Sequence, residues 1–160
     1  MQKRGQIAIM DLFLAVAIFT IIIVIVGVVW NMQTKRFEGS IAQSSMQIKA
    51  FQATDLLVKN PGVKTEWEEN LTVLAIPGLS TNDRTISEAK ASNFTSLDYD
   101  LVRQLLNIQE YEFYFRLLDD EGELIISSGK APIAPTSSVA VRRFVHYKDN
   151  LAILELTLWA

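Results

Sequence analysis

The 160-residue sequence contains no cysteine and a single histidine, His146. The absence of cysteine excludes a disulfide framework and a thiolate metal site, and one histidine cannot form a clustered histidine site for zinc. His146 is predicted to lie on a strand close to Arg142 and Arg143, where a place on the surface or on a sheet face is the simpler interpretation. We therefore expect neither a metal nor an organic cofactor.

Sequence motifs of common enzymes are also missing. The seven glycines are scattered and form neither GxGxxG nor GxxxxGK[ST], and no GxSxG is present. The acidic run at 119–123, DDEGE, lacks the ligand spacing of an EF-hand loop, so a solvated hairpin turn is the better interpretation. From these absences we expect the protein not to be an enzyme.

Basic residues are too few and too dispersed to indicate a nucleic-acid partner. The formal net charge is −3 at pH 7. Residues 60–160 contain 9 Lys and Arg against 15 Asp and Glu, so this part alone is near −6. Because nucleic-acid-binding domains carry a clustered basic surface, no nucleic acid is expected among the partners.

Charge is almost absent from one long segment near the N-terminus. Every residue of the 24 at 7–30 is apolar or small except Asp11 and Thr20, and the 19 residues at 12–30 carry no charge. A helix needs roughly 20 apolar residues to cross a bilayer. A core helix of a soluble protein would show a polar face with a period of 3.6 residues, and this segment shows none. Residues 6–30 are therefore predicted to form a transmembrane helix.

The helical sequence continues beyond the apolar segment. Over 31–59, apolar residues recur mostly at three-, four- and seven-residue steps and polar residues fill the other faces, which predicts an amphipathic helix. The recurring apolar residues are Phe37, Ile41, Ile48, Phe51 and Leu56. Pro61 and Gly62 end the pattern. We predict one helix over about 6–59, roughly 80 Å long at 1.5 Å per residue.

The remaining residues, 60–160, predict a small α+β head with an antiparallel sheet. Patterns of alternating residues and turn signals predict strands at 70–76, 111–118, 123–127, 139–147 and 151–159, and helices at 85–91 and 96–107, the second capped by Ser96. Alternation in the strand YEFYFRLL places these residues on one face: Tyr111, Phe113, Phe115 and Leu117. We expect this face to pack on the long helix through Phe37, Ile41, Ile48 and Phe51.

The residues ahead of the apolar segment, Lys3-Arg4-Gly5-Gln6, resemble the class III signal peptide of archaeal type IV pilin-like proteins. An ordinary secretory signal has its cleavage site after the apolar core, whereas the cleavage-like feature here precedes it. The resemblance implies that a prepilin peptidase cuts between Gly5 and Gln6 on the cytoplasmic side and removes residues 1–5 as a leader peptide. It also implies a pilin-like fold, a long N-terminal helix carrying a head that lies outside the cell.

This resemblance implies a structural subunit, major or minor, of an archaeal type IV pilus-like surface filament. The precursor would be held in the cytoplasmic membrane, and the processed subunit would join other pilin subunits through the N-terminal helices. The family usually carries an acid at the fifth mature position, whereas this chain has Asp11 at the sixth. We expect Asp11 to pair with the new α-amino group on Gln6 of a neighbouring subunit. The alternative is that Asp11 lies at the membrane interface and reaches water.

Two other functions stay open at this point. The chain could be a single-span, membrane-anchored extracellular binding protein that never polymerises, or a membrane-anchored enzyme, which the missing motifs disfavour. Two N-glycosylation sequons, Asn70-Leu71-Thr72 and Asn93-Phe94-Thr95, are candidate sites if the head is extracellular. Asn93 is expected in an accessible loop and Asn70 at the start of a strand, although short sequons also arise by chance.

Overall fold

The computed structural model describes the backbone of residues 2–62 and 77–160, and their side chains from Met10 onward except that of Glu38. The helices are α1 (Gln2–Lys59), α2 (Glu88–Thr95) and α3 (Tyr99–Leu105). The strands are β1 (Ser80–Asn82), β2 (Thr85–Ile86), β3 (Glu112–Asp119), β4 (Leu124–Gly129), β5 (Ser138–Tyr147) and β6 (Asn150–Trp159). One sheet contains them in the order β1-β2-β5-β6-β3-β4. The fold is therefore α+β, as predicted, but the sheet is mixed and not wholly antiparallel, because β2 and β5 pair in parallel.

The chain divides into two units, Met1–Ala42 and Gln43–Ala160. The first unit is helical and belongs to α1 alone among the described residues. We call the second the compact unit, because it contains the last turns of α1 together with α2, α3 and the sheet. The two units are described separately below.

Helix α1 confirms the predicted long helix and begins four residues earlier than expected. No proline interrupts it before Pro61. Two of its threonines donate their hydroxyl protons to the helix backbone, Thr20 to the Val16 carbonyl at 2.8 Å and Thr34 to the Trp30 carbonyl at 3.0 Å. The helix therefore satisfies these hydroxyls internally and needs no water for them.

The C-terminal end of α1 is capped by the chain that follows residue 77. The last carbonyls of a helix have no partner within it, and here the Leu79 N–H donates to the Leu57 carbonyl at 2.9 Å. The backbones approach so closely that a Cβ atom at Gly78 would lie 1.9 Å from the Asn60 carbonyl oxygen. Only glycine fits at this position, so the end of α1 and the start of β1 form a fixed junction.

The four strands from β3 to β6 agree with the sequence prediction to within two residues at each end. Strands β5 and β6 form a long hairpin in which Tyr147 pairs with Asn150, and β3 pairs with the other edge of β6. Strand β2 pairs in parallel with only two residues of β5, His146 and Tyr147. Most of the outer edge of β5 thus has no strand beside it in the described part of the chain.

The predicted helix at 85–91 is wrong in its first residues. Thr85 and Ile86 form β2, and α2 starts after Ser87, whose hydroxyl accepts a hydrogen bond from the Lys90 N–H. Apolar and polar residues in so short a segment fit either structure, and pairing with β5 decides for the strand. Strand β1 was not predicted because its three residues, STN, are all polar.

The predicted helix at 96–107 is too long. Helix α3 covers Tyr99–Leu105, and its N-cap is Asp98, whose carboxylate accepts a hydrogen bond from the Leu101 N–H at 3.0 Å. Ser96, the expected cap, instead ends α2. Two capping residues stand close together here, and the sequence alone did not show which one begins the helix. The strand predicted at 70–76 lies outside the described residues.

The core of the compact unit lies between the sheet and the last turns of α1. Alternate residues of β3 point into it, and Phe113, Phe115 and Leu117 are fully buried, which confirms the predicted inner face of this strand. Phe94 of α2 meets Phe115 edge to face, with ring centroids 5.1 Å apart. The buried residues of α1 are Met46, Ala50, Ala53, Thr54, Leu57 and Val58.

The face of α1 that was expected to carry the sheet is the wrong one. The four residues named for it are 40–67% exposed, namely Phe37, Ile41, Ile48 and Phe51. The buried face instead contains Ala50 and Ala53, whose small side chains let the helix axis come closer to the sheet than phenylalanine would allow. Thr54 on the same face donates its hydroxyl proton to the Ala50 carbonyl at 2.5 Å, so its burial leaves no unpaired polar group.

Candidate functional site

The N-terminal part of α1 exposes a continuous apolar surface, which we call the apolar segment (residues 10–32). Every large apolar side chain in it is at least 51% exposed, and Trp30 reaches 75%. Its most apolar 18 residues have a mean hydropathy of 3.3. Within the described residues, α1 is the one helix long and apolar enough to cross a membrane. The helix is therefore a candidate transmembrane segment, and water is an unfavourable surrounding for it.

The residues of the predicted processing motif lie in the first turns of α1. Lys3, Arg4, Gly5 and Gln6 are all part of the helical backbone. Asp11 follows within the same helix and is exposed. Among the described side chains, none lies within ion-pair distance of Asp11. The structure thus brings the motif and Asp11 onto one helix, with the carboxylate available to another molecule.

One of the two sequons lies in a different setting from the one expected. Asn93 lies in α2 rather than in a loop, so the loop prediction is wrong, and the next residue, Phe94, is fully buried in the core. The Thr95 hydroxyl donates to the Ser92 carbonyl at 2.7 Å. Asn70 lies outside the described residues. Glycosylation at either asparagine stays a prediction.

A buried carboxylate, Glu155, joins three neighbouring strands. It is 1% exposed and accepts hydrogen bonds from Arg116 on β3 and from Arg142 on β5, the latter at 2.5 Å. Both arginines pair directly with Glu155 in the strand register. Burial acts to raise the pKa of the Glu155 carboxyl, but the two guanidinium groups outweigh it and hold that pKa below its ordinary value. The arrangement stabilises the sheet and leaves Glu155 ionised.

Tyr99 and Glu112 form a second polar contact, between α3 and β3. The Tyr99 hydroxyl donates to the Glu112 carboxylate at 2.5 Å, and Lys130 donates to the same carboxylate at 3.1 Å. Burial, together with the bond to Glu112, raises the pKa of Tyr99 to about 12. The bond from Tyr99 in turn lowers the pKa of Glu112. Tyr99 therefore stays protonated at neutral pH and serves as a hydrogen-bond donor, not as a base.

Lys90 is a buried cation that the sequence analysis did not single out. Its side chain is 2% exposed, and its ammonium group donates to the Pro61 carbonyl at 2.8 Å and to the Ser80 carbonyl at 3.3 Å. Backbone carbonyls are thus its partners, and the residue ties α2 to the end of α1 and to β1. The only available signal was a lysine among small and apolar residues of a short helix.

The residues considered for metal or acid–base chemistry are spread over the surface. His146 is exposed and contributes its backbone N–H to the Arg84 carbonyl at 2.8 Å. The Asp119 carboxylate accepts the N–H groups of Glu121 and Glu123, at 3.1 and 2.7 Å, which makes 119–123 a hairpin turn as predicted. In the described ranges, no group of three or more His, Cys, Asp or Glu side chains could hold a metal ion.

Comparison with protein families, with curated proteins and with solved structures finds no match to this chain. The function is therefore inferred from two features of the molecule. One is the apolar segment with the motif that precedes it, and the other is the folded surface of the compact unit.

Proposed function

We propose that this protein is a structural subunit of an archaeal type IV pilus-like cell-surface filament, processed between Gly5 and Gln6. The observation that carries the proposal is the exposed apolar segment, which begins five residues after Gly5 of the Lys3-Arg4-Gly5 motif. A secretory signal would lose such a segment on cleavage, whereas a cut after Gly5 keeps it in the mature protein. The retained helix then serves first as a membrane anchor and later as an assembly surface.

The physical reason for polymerisation is the surrounding that the apolar segment requires. In the membrane, lipid covers these side chains. Outside the membrane, the helices of other subunits are the apolar surface available to replace lipid, and close packing supplies the attraction. The compact unit has its own core and its own polar surface, so it is suited to remain in water at the outside of the filament.

Asp11 supports the same proposal. A carboxylate in apolar surroundings is costly unless it meets a cation or becomes neutral. Asp11 lies five positions after Gln6, which is roughly 7.5 Å along the helix and about 140° around it. Its position is thus on a different side of the helix from the amine that cleavage creates. The α-amino group of another subunit is the matching partner, and the pair would set the axial register of assembly.

The first test is the mature N-terminus of the protein isolated from membrane and sheared-filament fractions of cells with an active prepilin peptidase. We expect mass spectrometry to find a chain that begins at Gln6, and to find it in the filament fraction. Gly5→Val should block cleavage and keep the chain in the membrane, whereas Ala8→Val, the matched control, should be processed normally. A chain that still begins at Met1 and is absent from filaments would indicate the non-polymerising, membrane-anchored binding protein instead.

Asp11→Ala tests the pairing role separately. We expect cleavage to proceed normally and incorporation into filaments to fall roughly tenfold, the factor that a loss of about 1.4 kcal/mol per contact gives. The measurement is an immunoblot of sheared filaments against the membrane fraction. Asp11→Glu, which keeps the charge, should retain more incorporation than Asp11→Ala. Equal incorporation of Asp11→Ala and the unchanged protein would remove the pairing role while leaving the processing result intact.

A further inference from the structure

A cavity of about 340 Å³ lies between the end of α1 and the open edge of β5 in the compact unit. Its lining includes four cationic side chains, from Lys59, Arg84, Arg142 and Arg143. Among the described residues that line the cavity, Asp55 is the one carboxylate. We call this the cationic cavity. It concentrates positive charge in a part of the chain where acidic residues outnumber basic ones by 15 to 9 over residues 60–160.

The internal ion pairs do not use up the hydrogen-bonding capacity of these cations. Lys59 and Arg143 both bind Asp55, at 2.8 and 2.9 Å, and Arg142 binds Glu155 through one nitrogen. A guanidinium group has five N–H donors and an ammonium group three. The side chains of Arg142, Arg84 and Lys59 are 54–68% exposed. Donors and positive charge therefore remain for an anionic partner, and carboxylates match the guanidinium geometry.

The same unit carries a suitable acidic element on another part of its surface. The turn between β3 and β4 presents Asp120, Glu121 and Glu123, all exposed. None of the three forms an ion pair with a described residue. Strand β6 separates β3 from β5 in the sheet, so the turn and the cavity are offset by two strand spacings, roughly 10 Å. No ion pair joins them within the chain.

We infer that the cationic cavity of one copy binds the acidic β3–β4 turn of the next copy. The inference rests on the proposed function, because it names the contact between compact units in the filament. The two surfaces are unlike, so each copy offers one of each. Repeated head to tail, the contact is heterologous and gives an open helical array unless the rotation closes a ring, whereas a reciprocal pair of the same contacts would close a two-fold dimer. Complementary charge favours this pairing over cavity-to-cavity or turn-to-turn contacts.

Cysteine cross-linking tests the contact, since the chain has no cysteine of its own. The double variant Glu121→Cys with Phe144→Cys places one thiol on the turn and one at the cavity, where Phe144 is 67% exposed. Full-length protein in sheared filaments is treated with a short bismaleimide. We expect a ladder of dimers, trimers and longer species. Ser127→Cys with Phe144→Cys is the matched control, because Ser127 is exposed on the same hairpin but away from its turn.

Charge reversal supplies a second readout that does not depend on cysteine geometry. Glu121→Lys should lower filament yield about tenfold, and Arg84→Glu in the same chain should restore it. Glu110→Lys is the control, because Glu110 is exposed outside the turn and should leave the yield unchanged. If the cysteine variant does not assemble, this series decides the question.

The outcomes separate this contact from the proposed function. Filaments that form without a ladder, with Glu121→Lys behaving like Glu110→Lys, would overturn the contact and leave the filament function standing. Cross-links to a different protein, identified by mass spectrometry, would also overturn it. An absence of this chain from the filaments of unmodified cells would remove both proposals.

Discussion

The two ends of α1 have opposite relations to their surroundings. In the apolar segment, bulky apolar side chains are exposed, for example Phe13 by 70% and Ile22 by 52%. In the last turns of α1, the fully buried residues include Ala50 and Thr54, whose side chains have far less apolar surface than Phe13 or Ile22. The more apolar half of the helix is thus the uncovered one. Burial of an apolar helix surface against other apolar groups is favourable. The fold shows whether the same chain supplies those groups.

The compact unit covers only the helix face that its sheet fits. Small residues at 50 and 53 lie on this face, and Leu57 of the same face is fully buried. On the other side, Ile48 remains 57% exposed. For the apolar segment, no described residue plays the role of the sheet, and the proposed function assigns that role to lipid and then to other subunits.

Removing a buried side chain from α1 should unfold the compact unit more readily than removing an exposed one. Leu57→Ala leaves a cavity in the core and is expected to lower the free energy of unfolding by about 2–5 kcal/mol. Ile48→Ala, its matched control, should change it by no more than about 0.5 kcal/mol. Denaturant unfolding of the full chain in detergent, followed by near-ultraviolet circular dichroism, measures both. Equal losses would mean that the exposed face of α1 also packs against the compact unit.

Acid should weaken the compact unit and leave the helix over residues 12–34 unaffected. The pKa values of Asp55, Glu112 and Glu155 are lower in the folded chain than ordinary values. Their contribution to stability is therefore complete above the unfolded values, near pH 4, and is lost as the pH falls through the lower folded values. Residues 12–34 have no ionisable side chain, so their helix should not respond.

Glu155→Gln sharpens this pH prediction. It should cost about 1–3 kcal/mol at pH 7, because two arginines lose a charged acceptor. The difference from the unchanged protein should shrink over the acid pH range in which the native carboxylate, whose pKa is lowered, becomes protonated as well. Thermal unfolding of the full chain in detergent across this pH range checks the result. A constant difference at every pH would show that charge on Glu155 contributes little.

The smallest effect is expected at Gly39, in the helical unit. A Cβ atom at this position would meet no atom within 4 Å, so nothing in the described structure requires glycine. Gly39→Ala should stabilise the local helix by roughly 1 kcal/mol through helix propensity. Slower amide hydrogen exchange at residues 35–42 would show this. Reduced filament assembly by the same variant, despite a firmer helix, would indicate that Gly39 lies at a contact between subunits.

Periodicity predicted the elements whose pattern is long and regular. The long helix and the strands from β3 to β6 were predicted in this way, because a long and regular pattern of apolar residues indicates one type of secondary structure. The packing face of α1 was predicted wrongly. The prediction chose the large apolar residues Phe37 and Ile41, whereas the sheet packs on the face with the small residue Ala50. The pairing of β2 with β5 joins residues 61 positions apart, Thr85 to His146 and Ile86 to Tyr147, for which no local pattern exists.

The candidate sites divide in the same manner. The processing motif is a local string of residues, and the sequence contains everything needed to propose it. The cationic cavity is not local, because Lys59, Arg84 and Arg142 come together only when the end of α1 meets β5. Glu155 was missed for a related reason, since its arginine partners stand on two other strands. A glutamate within the apolar strand LAILELTLW was the available signal.

The fastening of the helix end has a mechanical consequence. Leu57 is held by the Leu79 N–H, Pro61 by Lys90, and Asp55 by Arg143. These bonds link the end of α1 to three separate parts of the compact unit. A pull along the helix axis would load these bonds together with the packed face of α1. In the proposed filament, a subunit held by its helix would therefore resist a pulling force by distributing it over these contacts.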